Sequence, residues 1–211
     1  MNSDYLDISS KDIILFGRIV KRYKMSVEDI DDLNEKYETV KKQLGSYNTR
    51  LAGRLKSELN FTKILEKTSS WKKIMEHILD YQNTCVTYHI LKDTHNMDIQ
   101  SCWINDMKSG EYNPPHTHHD GTGWSSVLFL KIPEFVDDTK EDAHHKFKDG
   151  QLGFIGVDGS TSFYITPKVG DFYIFEARHQ HFVMPFKTKI KGKIRRSMSF
   201  NFIINNKEQN V

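Results

Sequence analysis

Residues 151–186 read QLGFIGVDGSTSFYITPKVGDFYIFEARHQHFVMPF. Four short apolar runs stand out: QLGFIGV (151–157), TSFYI (161–165), DFYIF (171–175) and HFVMPF (181–186). Asp158-Gly159 and the stretch from Pro167 to Gly170 separate them with turn chemistry, and Asp149-Gly150 precedes the first. Runs of this length, rich in aromatic and β-branched residues, predict strands. Upstream, SSVLFLKIP (125–133) is almost continuously apolar, the pattern of a strand covered on both faces. IQSCWINDM (99–107) alternates and ends at Ser109-Gly110. Downstream, RRSMSFNFII (195–204) follows a turn over Lys189–Lys193. Strands at such short spacing predict a sandwich or barrel from residue 98 to 204.

The first 97 residues read differently. Ser26 is an N-cap candidate with Glu28 and Asp29 in the first turn, and Ile30, Leu33, Tyr37, Val40 and Leu44 follow one helix face up to Gly45. A second helix starts after Ser70, with Trp71, Ile74, Met75, Ile78 and Leu79 on a broad face suited to packing on a sheet. Ile13–Lys24 favours one strand, and LAGRLKSEL within 48–65 a short helix. Helices first and strands second predict an α+β chain with the helices on one outer face of an all-β core. One domain is expected over 1–211, with 1–97 as mainly helical support carrying an outer strand, 98–204 as the β core and 205–211 as tail. No repeat or linker divides it.

Composition narrows the classes. The 211 residues carry 12% aromatics, too many for a disordered chain. No apolar run approaches the length of a membrane span, and MNSDYLDISSKD lacks the layout of a secretion signal. Cys85 and Cys102 make neither a disulfide framework nor a cysteine zinc site, so a reducing cytoplasm is expected. A net charge of +2 argues for neither nucleic acid nor a membrane surface. A P-loop and a serine-hydrolase elbow are both lacking.

Histidine is the outlier: seven of ten fall between His116 and His181, under a third of the chain. In GEYNPPHTHHDGTGWSS (110–126), His116 and His118 share one side of an extended chain, and His118 and Asp120 are related in the same way. His119 points away. A third ligand comes from HQH at 179–181. Two histidines and a carboxylate leave positions open on Fe(II), and three histidines do so as well. On the last strand, Arg195, Ser197, Ser199 and Asn201 share a polar face, opposite Arg196, Met198, Phe200 and Phe202. A polar face inside a barrel calls for a ligand, and a guanidinium with a nearby hydroxyl suits a carboxylate. Trp103 and Asn105 share a strand face that is a candidate pocket wall. The charged stretch 135–151 is a candidate lid.

These segments together resemble the Fe(II)/2-oxoglutarate-dependent dioxygenase superfamily, built on a double-stranded β-helix. NPPHTHHDGTGWSSVLFLKIPE, VGDFYIFEARHQHFVMPF and RRSMSFNF are similar to 2-oxoglutarate oxygenases of marine phages and bacteria, which stand near prolyl-4-hydroxylases. The resemblance covers about residues 98–204. It implies a jelly-roll core, His181 rather than His179 as the distal ligand, and Arg195 rather than Arg196 on the co-substrate, with Ser197 beside it. For the ligand pair, His118-His119-Asp120 matches the superfamily's H-x-D pattern and His116-Thr117-His118 the nearer group's H-x-H. His118, Asp120 and His181 are slightly favoured, with His116 the alternative. The cofactors implied are Fe(II) and 2-oxoglutarate, which would be converted to succinate and CO2 as dioxygen hydroxylates a peptide or small molecule. Peptidyl proline is the substrate suggested by analogy. A phage-encoded protein would work in the host cytoplasm. The alternatives are a cupin-type dioxygenase or isomerase without 2-oxoglutarate, and a non-catalytic β-barrel binding module.

Overall fold

A computed structural model describes residues 10–15, 17–47, 52–91, 95–118, 123–136, 149–159 and 161–206. The chain opens with a hairpin, β1 (Ser10–Leu15) and β2 (Arg18–Lys24), where a single strand is expected. Gly17, at φ +77°, reverses the chain between Leu15 and Arg18, which lie opposite each other.

Helix α1 (Val27–Val40) begins as its sequence predicts. The Asp29 N–H donates to Ser26 Oγ at 3.1 Å and the Asp29 carboxylate accepts from the Ser26 N–H, a reciprocal capping box. Ile30, Leu33 and Tyr37 are buried, but the helix stops at Val40 and tightens into one 3-10 turn over Lys41–Gln43, short of Gly45. The expected helix around LAGRLKSEL does not form. Glu58–Asn60 is instead strand β3, paired with the strand that contains Asn105, and Arg54 bridges to Tyr112. Pairing at a sheet edge outweighs weak local helix propensity here. Helices α2 (Thr62–Leu65) and α3 (Trp71–Thr87) follow. In α3 the buried face runs through Ile74, His77, Ile78, Tyr81, Thr84 and Cys85, while Leu79 is exposed.

Eight strands then form the core: β4 (His95–Met107), β5 (Asn113–His116), β6 (Trp124–Lys131), β7 (Leu152–Ile155), β8 (Ser162–Ile165), β9 (Asp171–Glu176), β10 (His181–Val183) and β11 (Arg195–Asn206). They are dealt between two sheets. The larger has the order β1-β2-β9-β6-β11-β4-β3 and the smaller β5-β10-β7-β8, all pairings antiparallel. This is the double-stranded β-helix. β6 is buried continuously from Ser125 to Leu130, as its unbroken apolar run requires.

Each face of the large sheet has its own core. Outward, Ile104, Leu128, Phe172, Met198 and Phe200 meet Ile30, Leu33, Tyr37, Ile74 and Ile78 of the helices. Inward, Met107, Val127, Phe129, Tyr173 and Phe175 meet Leu152, Phe154 and Val183 of the small sheet. The parity of β11 follows from this division: Met198 and Phe200 face the helices, so Ser197 and Ser199 face the barrel interior. No described helix is long and apolar enough to cross a membrane.

Arg196 fixes this register. Its guanidinium binds Asp106, its cross-strand partner, through Nε–Oδ1 at 2.6 Å and Nη2–Oδ2 at 2.8 Å, and it reaches Asn34 and Glu38 of α1. It lies 4.4 Å over the Tyr37 ring. Replacing Arg196 with alanine strands the Asp106 carboxylate and is expected to lower stability by about 3 kcal/mol, read from urea unfolding.

His77 packs at a tilt on Tyr23, ring centres 4.6 Å apart, between α3 and the sheet, and neither ring nitrogen has a hydrogen-bond partner among the described residues. Burial, and secondarily Lys73, pushes it down to about 4. Between its ordinary value of 6.5 and about 4 the unfolded chain binds a proton that the folded chain does not. Its contribution to stability is therefore present above pH 6.5 and is lost as pH falls toward 4. Urea midpoints measured at intervals across this window are expected to fall less steeply for His77→Phe than for the parent.

Candidate metal and co-substrate site

The barrel interior holds a cavity lined by both sheets. Pro114 and Pro115 lie on β5, an edge strand, where their missing N–H groups disrupt no interior ladder. They lead into His116, the cross-strand partner of His181 on β10. His118 follows two residues later, its N–H donating to the Ala177 carbonyl at 3.0 Å. The result is a cluster of His116, His118 and His181, one ring nitrogen from each lying within 4.8 Å of the others.

Two of the three imidazoles are held with their Nε2 lone pairs free. His116 Nδ1 lies 2.7 Å from the Pro114 carbonyl and His181 Nδ1 2.9 Å from the His179 carbonyl. A carbonyl only accepts, so both Nδ1 atoms donate and both Nε2 atoms keep free lone pairs. His118 Nε2 stands 3.1 Å from His181 Nε2. Two nitrogens on adjacent positions of one divalent ion, each about 2.1 Å from it, are about 3 Å apart, so the pair fits. Burial pushes His118 down to about 3, with His116 as the second cause. His181 is pushed well below its ordinary value, first by burial and then by His118 and His116, and burial lowers His116 too. The donors are neutral, as metal ligation requires.

His179 stands outside the cluster, packed on Phe154 at 4.9 Å between ring centres. His119, Asp120, His144 and His145 lie outside the described residues, as does most of the lid candidate at 135–151.

Arg195 is the second element. It is 1% exposed, with Nη1 donating to Met107 Sδ at 3.2 Å and its carbon 5.0 Å from the Phe129 ring centre. Its Nε and Nη2 are buried without a hydrogen-bond partner, and it makes no salt bridge among the described residues. Burial alone pushes the guanidinium down to about 10, so it stays charged at neutral pH. Ser197 is buried beside it on the same strand face. Arg195, Ser197 and the three clustered histidines line one cavity together with Trp103 and Asn105. An orphaned guanidinium fork and a hydroxyl fit a carboxylate.

The same cavity reaches Gly53, Glu58 and Asn113, which sequence reasoning missed. Glu58 sits in the segment expected to be helical, and no local signal marks it. Only the pairing of β3 with β4, which sets Glu58 opposite Asn105, brings it to the cavity.

Residues 101–201, running from β4 into β11 and including every residue of the histidine cluster, match the family described as "Putative 2OG-Fe(II) oxygenase". No protein of curated function matches the chain. Among solved structures, a prolyl-4-hydroxylase from Pseudomonas putida superposes with a TM-score of 0.56 at 12% identity, covering 95% of this chain and 94% of its own. A viral collagen prolyl hydroxylase from Paramecium bursaria Chlorella virus-1, solved with 2-oxoglutarate, gives 0.53 at 14% identity, with 92% and 94% covered. A non-heme α-ketoglutarate-dependent carbocyclase of nogalamycin biosynthesis gives 0.54 at 10% identity, with 88% and 79% covered. At these identities the likeness establishes the fold, and the carbocyclase shows that the fold does not select the substrate. Residues 101–201, which hold most of the double-stranded β-helix, are thus similar in sequence to the 2OG-Fe(II) oxygenases, and the fold is the one that such enzymes share.

Proposed function

We propose that His116, His118 and His181 hold the Fe(II) of this oxygenase, and that Arg195 with Ser197 binds the distal carboxylate of 2-oxoglutarate. One observation carries the reading: a fully buried guanidinium with two unpartnered nitrogens and no salt bridge among the described residues. A buried cation left so is destabilising unless an anion completes it. When bound, Fe(II) and 2-oxoglutarate supply the oxidising chemistry, in which dioxygen is consumed, 2-oxoglutarate becomes succinate and CO2, and a peptide or small-molecule substrate is hydroxylated. The chain's own residues orient and exclude. The Pro114 and His179 carbonyls fix the two imidazole rings. Phe175 and Phe154 pack on His181, with centroids at 4.8 and 6.1 Å, and keep water from that side. Ser197 offers a hydroxyl donor beside the guanidinium.

Succinate formation from 2-oxoglutarate is expected to depend on added iron. In anaerobic calorimetry with Mn(II), failure of 2-oxoglutarate to bind would remove the reading. The three-histidine donor set favours one second reading, a cupin-type metal enzyme without 2-oxoglutarate, for which Arg195 would be dispensable. His116→Ala and Asp120→Ala separate the two ligand sets. The former is expected to lose iron and the latter to retain it, measured as metal per chain. A reducing cytoplasm is our inference for the compartment, supported by the buried free thiols of Cys85 and Cys102.

A further inference from the structure

The cavity wall away from Arg195 is built of acceptors. Glu58 on β3 and Asn105 on β4 are cross-strand partners, and Asn105 is in turn opposite Ser197 on β11, so one inner-face row leads from the hydroxyl proposed for 2-oxoglutarate to a carboxylate. Asn105 is 4% exposed, and its Oδ1 is buried without a hydrogen-bond partner; Asn113 Oδ1 is buried without one as well. An unsatisfied buried carbonyl oxygen carries a desolvation penalty that a ligand's donor would remove. Gly53 lets the backbone pass close against Leu55, Asn113 and Glu58. A methyl group there would collide with the Leu55 side chain and stand 2.5 Å from Asn113 Oδ1 and 2.8 Å from Glu58 Oε1, so any side chain at 53 would push these oxygens aside. Trp103, two residues before Asn105 on the same strand face, lines the cavity too and offers an indole face.

We infer that this wall seats the primary ammonium group of a small prime substrate, with Glu58, Asn105 and Asn113 accepting its three N–H bonds. An ammonium presents three donors and no acceptor, which matches three side-chain oxygens and an aromatic face. The cavity is thereby polarised, with an anion-binding end at Arg195 and a cation-binding end at Glu58. Burial, and secondarily Glu111, pushes the Glu58 carboxyl up to about 7, a direction that a bound cation would reverse. A prolyl residue inside a peptide has no N–H and would leave the wall unsatisfied, so the inference favours free amines over peptidyl proline. It rests on the oxygenase reading above.

The test uses the full chain with Mn(II) and 2-oxoglutarate, kept anaerobic. It is titrated calorimetrically with free amino acids, aliphatic diamines and aminosugars, each beside its N-acetyl counterpart. At least one amine is expected to bind, with its N-acetylated form at least about ten-fold weaker. Glu58→Gln, and independently Asn113→Ala, are expected to weaken that amine about ten-fold while changing 2-oxoglutarate affinity much less. Binding of 2-oxoglutarate without any amine would overturn the inference alone, as would equal affinity for the acetylated forms or no effect of either variant. If 2-oxoglutarate itself does not bind, the oxygenase reading falls and this inference with it.

Discussion

Replacing His181 with alanine is expected to abolish iron retention, taking metal per chain to near zero and iron-dependent succinate formation down by about a thousand-fold or more. Loss of an outer-shell partner alone typically costs 10–100-fold in metal affinity or activity, and a ligand contributes more. His181 is the geometric centre of the cluster, facing His116 across the β5–β10 ladder and standing 3.1 Å from His118 Nε2. Its removal leaves two imidazoles on one short segment. The ring is 6% exposed and packed on Phe175 and Phe154, so some stability is lost as well. Far-UV dichroism and the unfolding midpoint separate that loss from lost metal. His179→Ala is the control: it too removes a buried imidazole from the same turn, yet is expected to keep its iron. Iron content that survives in His181→Ala and falls in His179→Ala would reassign the ligand.

Arg195→Met is expected to separate binding from stability. Truncating one partner of a buried, hydrogen-bonded charge pair costs about 2–5 kcal/mol, so 2-oxoglutarate affinity should fall by about 30-fold to several thousand-fold, measured by anaerobic calorimetry. The protein without ligand is expected to be as stable as the parent or more so, because the variant replaces an uncompensated buried cation with an apolar chain beside Met107 and Phe129. Arg196, one residue away, should behave in the opposite way, since its guanidinium is saturated by Asp106, Asn34 and Glu38. Its loss weakens the fold first. Unchanged 2-oxoglutarate affinity in Arg195→Met would sink the assigned role and favour the cupin-type alternative.

The contrast between these neighbouring arginines was legible in strand parity. Apolar Met198, Phe200 and Phe202 had to face a core, and the period of two then put Arg195, Ser197 and Ser199 together on the other side. The same period brought His116 and His118 to one side of their segment. Capping chemistry likewise placed the start of α1 at Ser26. Where tertiary pairing competed with local preference, the pattern misled. LAGRLKSEL reads as helical by composition, yet its C-terminal part is the edge strand β3 because β4 offers it an open ladder. Ile13–Lys24 reads as one strand, and only the positive φ at Gly17 reveals a hairpin.

By itself the sequence determined the all-β core, the inward and outward faces of its last strand, and the residue types that could carry metal and carboxylate chemistry. Those properties follow from periodicity and side-chain chemistry, which are local. The tertiary structure alone decided that His116 lies directly opposite His181, that Arg195 is buried without a salt bridge among the described residues, and that Glu58 shares the cavity with both. Each depends on which strands become neighbours, and strand order is settled by burying two opposite sheet faces at once, a condition no single segment encodes.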